Sequence, residues 1–242
     1  MSVFHFQRFS VVQKNSAMKV CTDATLFGAR APIGGGERVL DIGTGTGLLS
    51  LMAAQLGAGE VTAVEVTAEA YKEAAGNFSA SPWSGRLCSV QGDIQSFALT
   101  AGCQYDLIIC NPPFFEEHLK AAAPLRRTAR HSDQLPFPEL IAAVERLLTP
   151  AGCFYLLLPI HAVEGFCNSA AAKGIHLVNE VDYRGYSRNR AKVSALTFRR
   201  APAPFVSRLL TIYRAERVYS DESQGYLLDF LLRFQGERGV LR

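Results

Sequence analysis

Between residues 38 and 159, short apolar runs alternate with helix-forming segments, and this alternation constrains the fold more than any other feature of the chain. "RVLDIG" (38–43) precedes "GLLSLMAAQLG", whose Leu and Ala content suits a helix. "EVTAVEV" (60–66) precedes the helical "AEAYKEAAGNFSA", and "RLCSVQGD" (86–93) leads through a short connection to "YDLIIC" (105–110). Further on come a helix "FPELIAAVERLL" (137–148), a strand "CFYLLLP" (153–159) and a helix around 161–173. Runs such as "LIIC" are apolar at consecutive positions rather than at every second one, which marks strands covered on both faces. Strands of this kind joined by helices form a mostly parallel sheet, and right-handed crossovers make it doubly wound.

The last third changes character. "HLVNEVDYR" (176–184), "KVSALTFRR" (192–200) and "RLLTIYRAERVYS" (208–220) are β-branched and aromatic with no helical pattern between them, which predicts antiparallel, hairpin-related edge strands. Ser220, followed by acidic residues and an apolar face, predicts the N-cap of a closing helix within 220–234. The stretch from Phe114 to Pro136 is longer than an ordinary connection in a compact domain, and loops of that length are usually functional.

Composition narrows the setting. With 48% hydrophobic residues in 242, the chain can bury a real core. No stretch approaches the roughly 18 apolar residues of a spanning helix, and "MSVFHFQRFSVVQ" lacks the features of a signal peptide, so a cytoplasmic protein away from membranes is expected. Cysteines at 21, 88, 103, 110, 153 and 167 form no C-x-x-C pair or Cys/His cluster, so no metal is expected, and Cys88, Cys110 and Cys153 read as buried free thiols. The net charge of +3 is uneven: from Asp182 onward twelve Lys/Arg face six Asp/Glu, a basic portion suited to a polyanion.

"LDIGTGTGLLS" puts Gly43, Gly45 and Gly47 where the first strand turns into the first helix. Glycine there lets a ligand approach the backbone, and the helix start offers free N–H donors. The spacing is G-x-G-x-G, because Leu48 stands where a dinucleotide turn has its last glycine. Glu65 ends the second strand, where a carboxylate accepts from ribose hydroxyls. Asp93, in "QGDI", sits at the same sheet edge; it can accept from an adenine amino group while Ile94 packs on the ring, or it can cap the next short helix. Together these residues define a nucleoside pocket that suits either a nicotinamide or S-adenosylmethionine.

"DLIICNPPFF" decides between them. Asn111 ends the fourth strand and adds a side-chain carbonyl acceptor. Pro112 and Pro113 fix φ and remove donors, so the Pro112 carbonyl is freed from the sheet. Two such acceptors can take both N–H bonds of one amino group. Its lone pair is then aimed out of the ring plane toward a methyl donor, and the charge that develops on nitrogen is dispersed. Phe114 can stack on an extruded base, an interaction worth roughly 1–3 kcal/mol. A nicotinamide enzyme would leave this corner without a use.

In this order and spacing "DIGTGTG", "GDI" and "NPPF" resemble the S-adenosylmethionine-dependent N-methyltransferases that modify exocyclic amines. With "SAMKVCTDATLFGARAP" (16–32), "SPW" (81–83) and "ARHSDQL" (129–135), the chain from about Phe4 to Phe198 is similar to the bacterial tRNA1(Val) (adenine-N6)-methyltransferase family. The resemblance implies a Rossmann-like sheet of seven mostly parallel strands with antiparallel C-terminal strands. It also implies an N-terminal segment, residues 1–35, that closes over the cofactor of a methyltransferase domain at 36–242. Asn111, Pro112, Pro113 and Phe114 would then be catalytic. Lys19, Thr22, Asp23, Asp41, the three glycines, Glu65, Asp93, Ile94 and Asn111 would hold S-adenosylmethionine. The expected substrate is the adenine just 3′ of the anticodon, met by a monomer. Related enzymes with this signature act instead on rRNA bases, DNA adenine or a glutamine amide. The family often has Tyr at the aromatic position; Phe114 keeps the stacking surface and loses the hydroxyl.

Two basic stretches are candidates for RNA. "LRRTARHS" carries Arg126, Arg127, Arg130 and His131 beyond the catalytic corner, and "YRGYSRNRAK" (183–192) interleaves Tyr with Arg.

Overall fold

The computed structural model describes residues 3–14, 19–112 and 135–236. Its centre is an eight-stranded sheet ordered β10-β8-β9-β7-β6-β3-β4-β5. The strands are β3 (Arg38–Ile42), β4 (Glu60–Glu65), β5 (Leu87–Gln91), β6 (Tyr105–Cys110), β7 (Leu148–Pro159), β8 (His176–Arg184), β9 (Val193–Arg199) and β10 (Val206–Thr211). β5, β4, β3, β6 and β7 run parallel, and β9 is antiparallel to both β7 and β8.

The consecutive apolar residues of β3 and β6 have the predicted meaning. Val39 faces one core with Leu107 and Ile109, whereas Leu40 and Ile42 face the other with Ile108 and Cys110. The first core is covered by α1 (Thr22–Ala29), α2 (Leu48–Leu56) and α3 (Ala68–Ser79), and the second by α4 (Ile94–Thr100), α5 (Phe137–Leu147) and α6 (Ile160–Ala171). Ile108 has no exposed surface; burying such a side chain is worth about 2–3 kcal/mol. Among the described residues no helix is long and apolar enough to cross a membrane.

Several expectations need correction. The sheet has eight strands where seven were expected, because β10 adds an edge. β10 pairs with β8 in parallel, so it is not the hairpin partner that its composition suggested. The 208–220 run is divided: after Thr211 come a small ribbon of β11 (Tyr213–Ala215) and β12 (Val218–Tyr219). The closing helix α7 is short (Asp221–Leu227), but Ser220 caps it as expected by accepting from Ser223 N at 3.1 Å. Cys88 is exposed, unlike Cys110 and Cys153, because β5 is the other edge of the sheet.

The N-terminal segment is more ordered than its sequence suggested. β1 (Val3–His5) and β2 (Ser10–Val12) form a hairpin, around which Phe6 stacks on Phe9 at 4.5 Å and Phe9 meets Trp83 edge-on. Phe6 bridges to Leu231, and Gln7 Nε2 donates to the carbonyls of Leu228 and Leu231 at 2.8 Å each.

Candidate active site

The carboxyl ends of β3, β4 and β6 are adjacent in the sheet, which brings the glycine turn, Glu65 and Asn111 to one rim. Gly43, Gly45 and Gly47 all have positive φ, at 69°, 57° and 84°. A Cβ on Gly43 or Gly45 would meet nothing within 4 Å, so the turn leaves open space above its backbone. Gly47 serves a different need: a Cβ there would lie 2.4 Å from Phe78, which packs under the start of α2.

Glu65 holds the turn as well as facing the rim. Its Oε2 accepts from Gly45 N at 2.9 Å and its Oε1 from Thr67 N at 2.9 Å. Each carboxylate oxygen retains a further lone pair for a ligand hydroxyl. Asp93 realises the capping alternative, with its Oδ1 accepting from Ser96 N at 2.7 Å at the start of α4. These bonds hold its carboxyl below the usual carboxylate range. Ile94 is only 4% exposed and belongs to the second core, so its side chain is committed to packing.

Asp41 is fully buried beneath the turn. Its Oδ2 accepts from Thr44 Oγ1 at 2.6 Å and Ser50 Oγ at 2.7 Å, and its Oδ1 has no partner among the described residues. Burial pushes its carboxyl up to about 6, against the pull of the two hydroxyls. The folded value exceeds that of the unfolded chain, so the native state holds this proton more tightly. Its contribution to stability is full below about pH 4 and is lost as pH rises through about 6, a swing of about 3 kcal/mol. Denaturant titrations across pH 4–8 should show Asp41→Asn less dependent on pH than the parent; identical profiles would refute the assignment.

Asn111 follows β6 directly, and its Oδ1 is buried with no hydrogen-bond partner among the described residues. A buried carbonyl left without a donor costs about 1–3 kcal/mol, so this oxygen is available to a donor from beyond the described residues. Pro112 is half-buried beside it. Pro113, Phe114, Arg126, Arg127, Arg130 and His131 lie outside the described residues.

The N-terminal candidates are tied to other elements. The Lys19 ammonium donates to the carbonyls of Gln13 and Lys14, within its own segment. Thr22 Oγ1 shares a hydrogen bond of 2.9 Å with Tyr213 OH. Burial raises the Asp23 carboxyl, with the Lys192 charge opposing it. Lys192 immediately precedes β9, so Asp23 also belongs to the carboxyl rim.

Asn77 is a residue that sequence reasoning missed. Its Nδ2 donates to Thr46 O at 2.8 Å and to Val12 O at 3.0 Å, while its Oδ1 accepts from Val12 N at 2.9 Å. It thereby staples the N-terminal hairpin to the glycine turn. The signal was its place on the buried face of α3 with Ala70, Ala74 and Phe78, where an amide needs partners. A cleft of about 440 Å³ between Val12, Lys14 and α3 adjoins this staple.

The Methyltransferase small domain family matches residues 24–156. A tRNA1(Val) (adenine(37)-N6)-methyltransferase from Phocaeicola vulgatus is 38% identical over 95% of this chain and 97% of its own length. One of the same name from Flavobacterium psychrophilum is 37% identical over 96% of this chain and 100% of its own. The fold is shared with a solved predicted O-methyltransferase from Agrobacterium tumefaciens, at TM-score 0.66 and 16% identity over 84% of this chain and 94% of that one. On these matches and the rim that carries the glycine turn and Asn111, the chain belongs to the tRNA1(Val) (adenine(37)-N6)-methyltransferase family.

Proposed function

We propose that this chain methylates the exocyclic N6 of an adenine in tRNA, at position 37 of tRNA1(Val), with S-adenosylmethionine as donor. The observation that carries the reading is the buried Asn111 Oδ1, without a partner among the described residues, one strand from an open glycine turn. The names of the relatives support the substrate.

The residues present fit the donor. Gly43 and Gly45 leave room over their backbone for its aminoacyl part, and Glu65 is assigned its ribose. Asp93 is assigned its adenine, alongside the capping bond it already makes. Lys19, Thr22 and Asp23, in the segment at 1–35, are assigned its cover. When bound, S-adenosylmethionine supplies a methyl carbon activated by a sulfonium.

Asn111 Oδ1 and the Pro112 carbonyl accept the two N–H bonds of the target amino group. This holds the nitrogen lone pair out of the conjugated plane and disperses the positive charge that grows on nitrogen. The surplus proton on the methylated nitrogen is acidic enough to pass to water, so no strong base is needed. Pro113 is assigned the rigidity of the corner, and Phe114 the stacking on the extruded base. Arg126, Arg127, Arg130 and His131 are assigned the phosphates of the anticodon arm. The protein is assigned to the cytoplasm as a monomer.

Labelled S-adenosylmethionine incubated with the protein and total bacterial tRNA should yield N6-methyladenosine just 3′ of the tRNA1(Val) anticodon. Label at another base, or none in tRNA, would overturn the reading. The two roles of Asp93 separate in one variant. Asp93→Ser keeps a capping oxygen and loses the charge, so it should weaken cofactor affinity severalfold by calorimetry while the melting temperature holds. An unchanged affinity would leave Asp93 as a cap alone.

A further inference from the structure

We infer that the turn between β8 and β9 is a docking surface for the tRNA backbone, flanking the target base; this rests on the function proposed above. Residues 183–192 hold Arg184, Arg188, Arg190 and Lys192 and no Asp or Glu. Arg184 is committed internally, its Nε donating to Thr211 Oγ1 at 2.8 Å. Arg188, Arg190 and Lys192 are exposed.

The register sets the turn on the rim of Asn111. Cys110 pairs with Leu156 of β7, Pro159 of β7 pairs with Val193, and Val193 pairs with Tyr183. The turn is therefore two to three strands from the catalytic corner, about 10–14 Å at the spacing of strands in a sheet. β7 continues from Leu156 to Pro159 before it meets the turn, a rise of about 10 Å at the length per residue of a strand. The cations thus form a wall on the order of 15 Å from Asn111. At about 3.4 Å per phosphate, that reaches four or five nucleotides along a stacked strand from the target base.

This wall is preorganised. Asn189 N donates to Tyr186 O at 2.9 Å and Lys192 N to Tyr183 O at 3.0 Å, which closes the turn. Ile212 N and Tyr213 N donate to the carbonyls of Arg184 and Gly185, which stitches its base to the start of β11. The Tyr186 ring lies 5.6 Å from Tyr213, which stacks on Tyr219 at 4.9 Å, and the Arg188 guanidinium lies over Tyr186 at 5.6 Å. A fixed backbone with Arg188 laid over Tyr186 loses little freedom on binding, so more of the attraction to phosphate becomes affinity. A polyanion is the partner that these exposed cations fit, with Lys192 partly offset by Asp23 and Arg188 and Arg190 left facing solvent.

The test is Arg188→Ala with Arg190→Ala, against the conservative pair Arg188→Lys with Arg190→Lys. In the alanine pair the slope of log affinity for tRNA1(Val) against log salt should fall by about 1.4–1.8, at 0.7–0.9 per phosphate contact. KM for tRNA should rise about tenfold or more, well beyond any fall in kcat. The lysine pair should keep the slope, and S-adenosylmethionine affinity should hold in both. A parent that methylates tRNA beside an alanine pair with the same KM and slope would overturn this surface alone. A raised KM with an unchanged slope would also overturn it. A parent that neither binds nor methylates tRNA would overturn the function, and this surface with it.

Discussion

Asn111→Ala should lose methyl transfer by a factor of a hundred or more while binding S-adenosylmethionine almost as before. Deleting one preorganised group that contacts developing charge typically costs about 10²–10³ in turnover, and here the same acceptor also sets the angle of the nucleophile. The structure adds an expectation about stability. Oδ1 of Asn111 is buried without a donor among the described residues, so removing it relieves a penalty of about 1–3 kcal/mol. The variant should therefore melt no lower than the parent, the signature of a group retained for chemistry. Single-turnover assays with saturating tRNA, calorimetry with the cofactor and a thermal melt measure the three quantities. Turnover within about tenfold of the parent, or a clear loss of thermal stability, would remove the amine-gripping role.

The second large effect is on folding. Gly47→Ala forces a side chain onto φ 84° with its Cβ 2.4 Å from the Phe78 ring. Left-handed backbone costs an L residue about 1–2 kcal/mol, and overpacking a core adds about 1–3 kcal/mol. Phe78 is 3% exposed and has nowhere to retreat. At roughly 2–4 °C per kcal/mol for a chain of this size, the melting temperature should drop by about 10 °C. Adding Phe78→Leu should recover the overpacking part and leave the backbone part. If Gly47→Ala melted within about 2 °C of the parent, the packing at this turn would be wrongly described.

The sequence and the structure agree most closely where burial alone decides conformation. "LIIC" and "RVLDI" are apolar on both faces, and only a central strand accommodates that, so β3 and β6 with the rim at their ends were legible. Ser220 was legible because a cap is a local device whose donor lies three residues away. β10 was not, because its parallel pairing with β8 depends on where the chain travels after Arg199. The hairpin around Phe6 and Phe9 was hidden too: its strands are three residues each, and its support comes from Trp83 and Leu231. Within the site, Glu65 and the glycines could be placed from spacing. The bonds of Thr44 and Ser50 to Asp41, and of Asn77 to Thr46, could not, since each needs a side-chain direction that a one-dimensional pattern does not carry. Asp93 shows a third case, in which a single residue type satisfied two readings and the structure displays the capping one.

The bonds of Gln7 to the carbonyls of Leu228 and Leu231 join positions 221 and 224 residues apart. Closing so long an interval is entropically costly and cannot begin before both sides exist. During translation this hairpin can meet Asn77 and Trp83 early, but its bonds to Leu228 and Leu231 must wait until that stretch has cleared the ribosome. A nascent chain halted before that point would carry its central strands and glycine loop but lack the finished clasp, so this enzyme should gain full competence only once the stretch through Leu231 has been made.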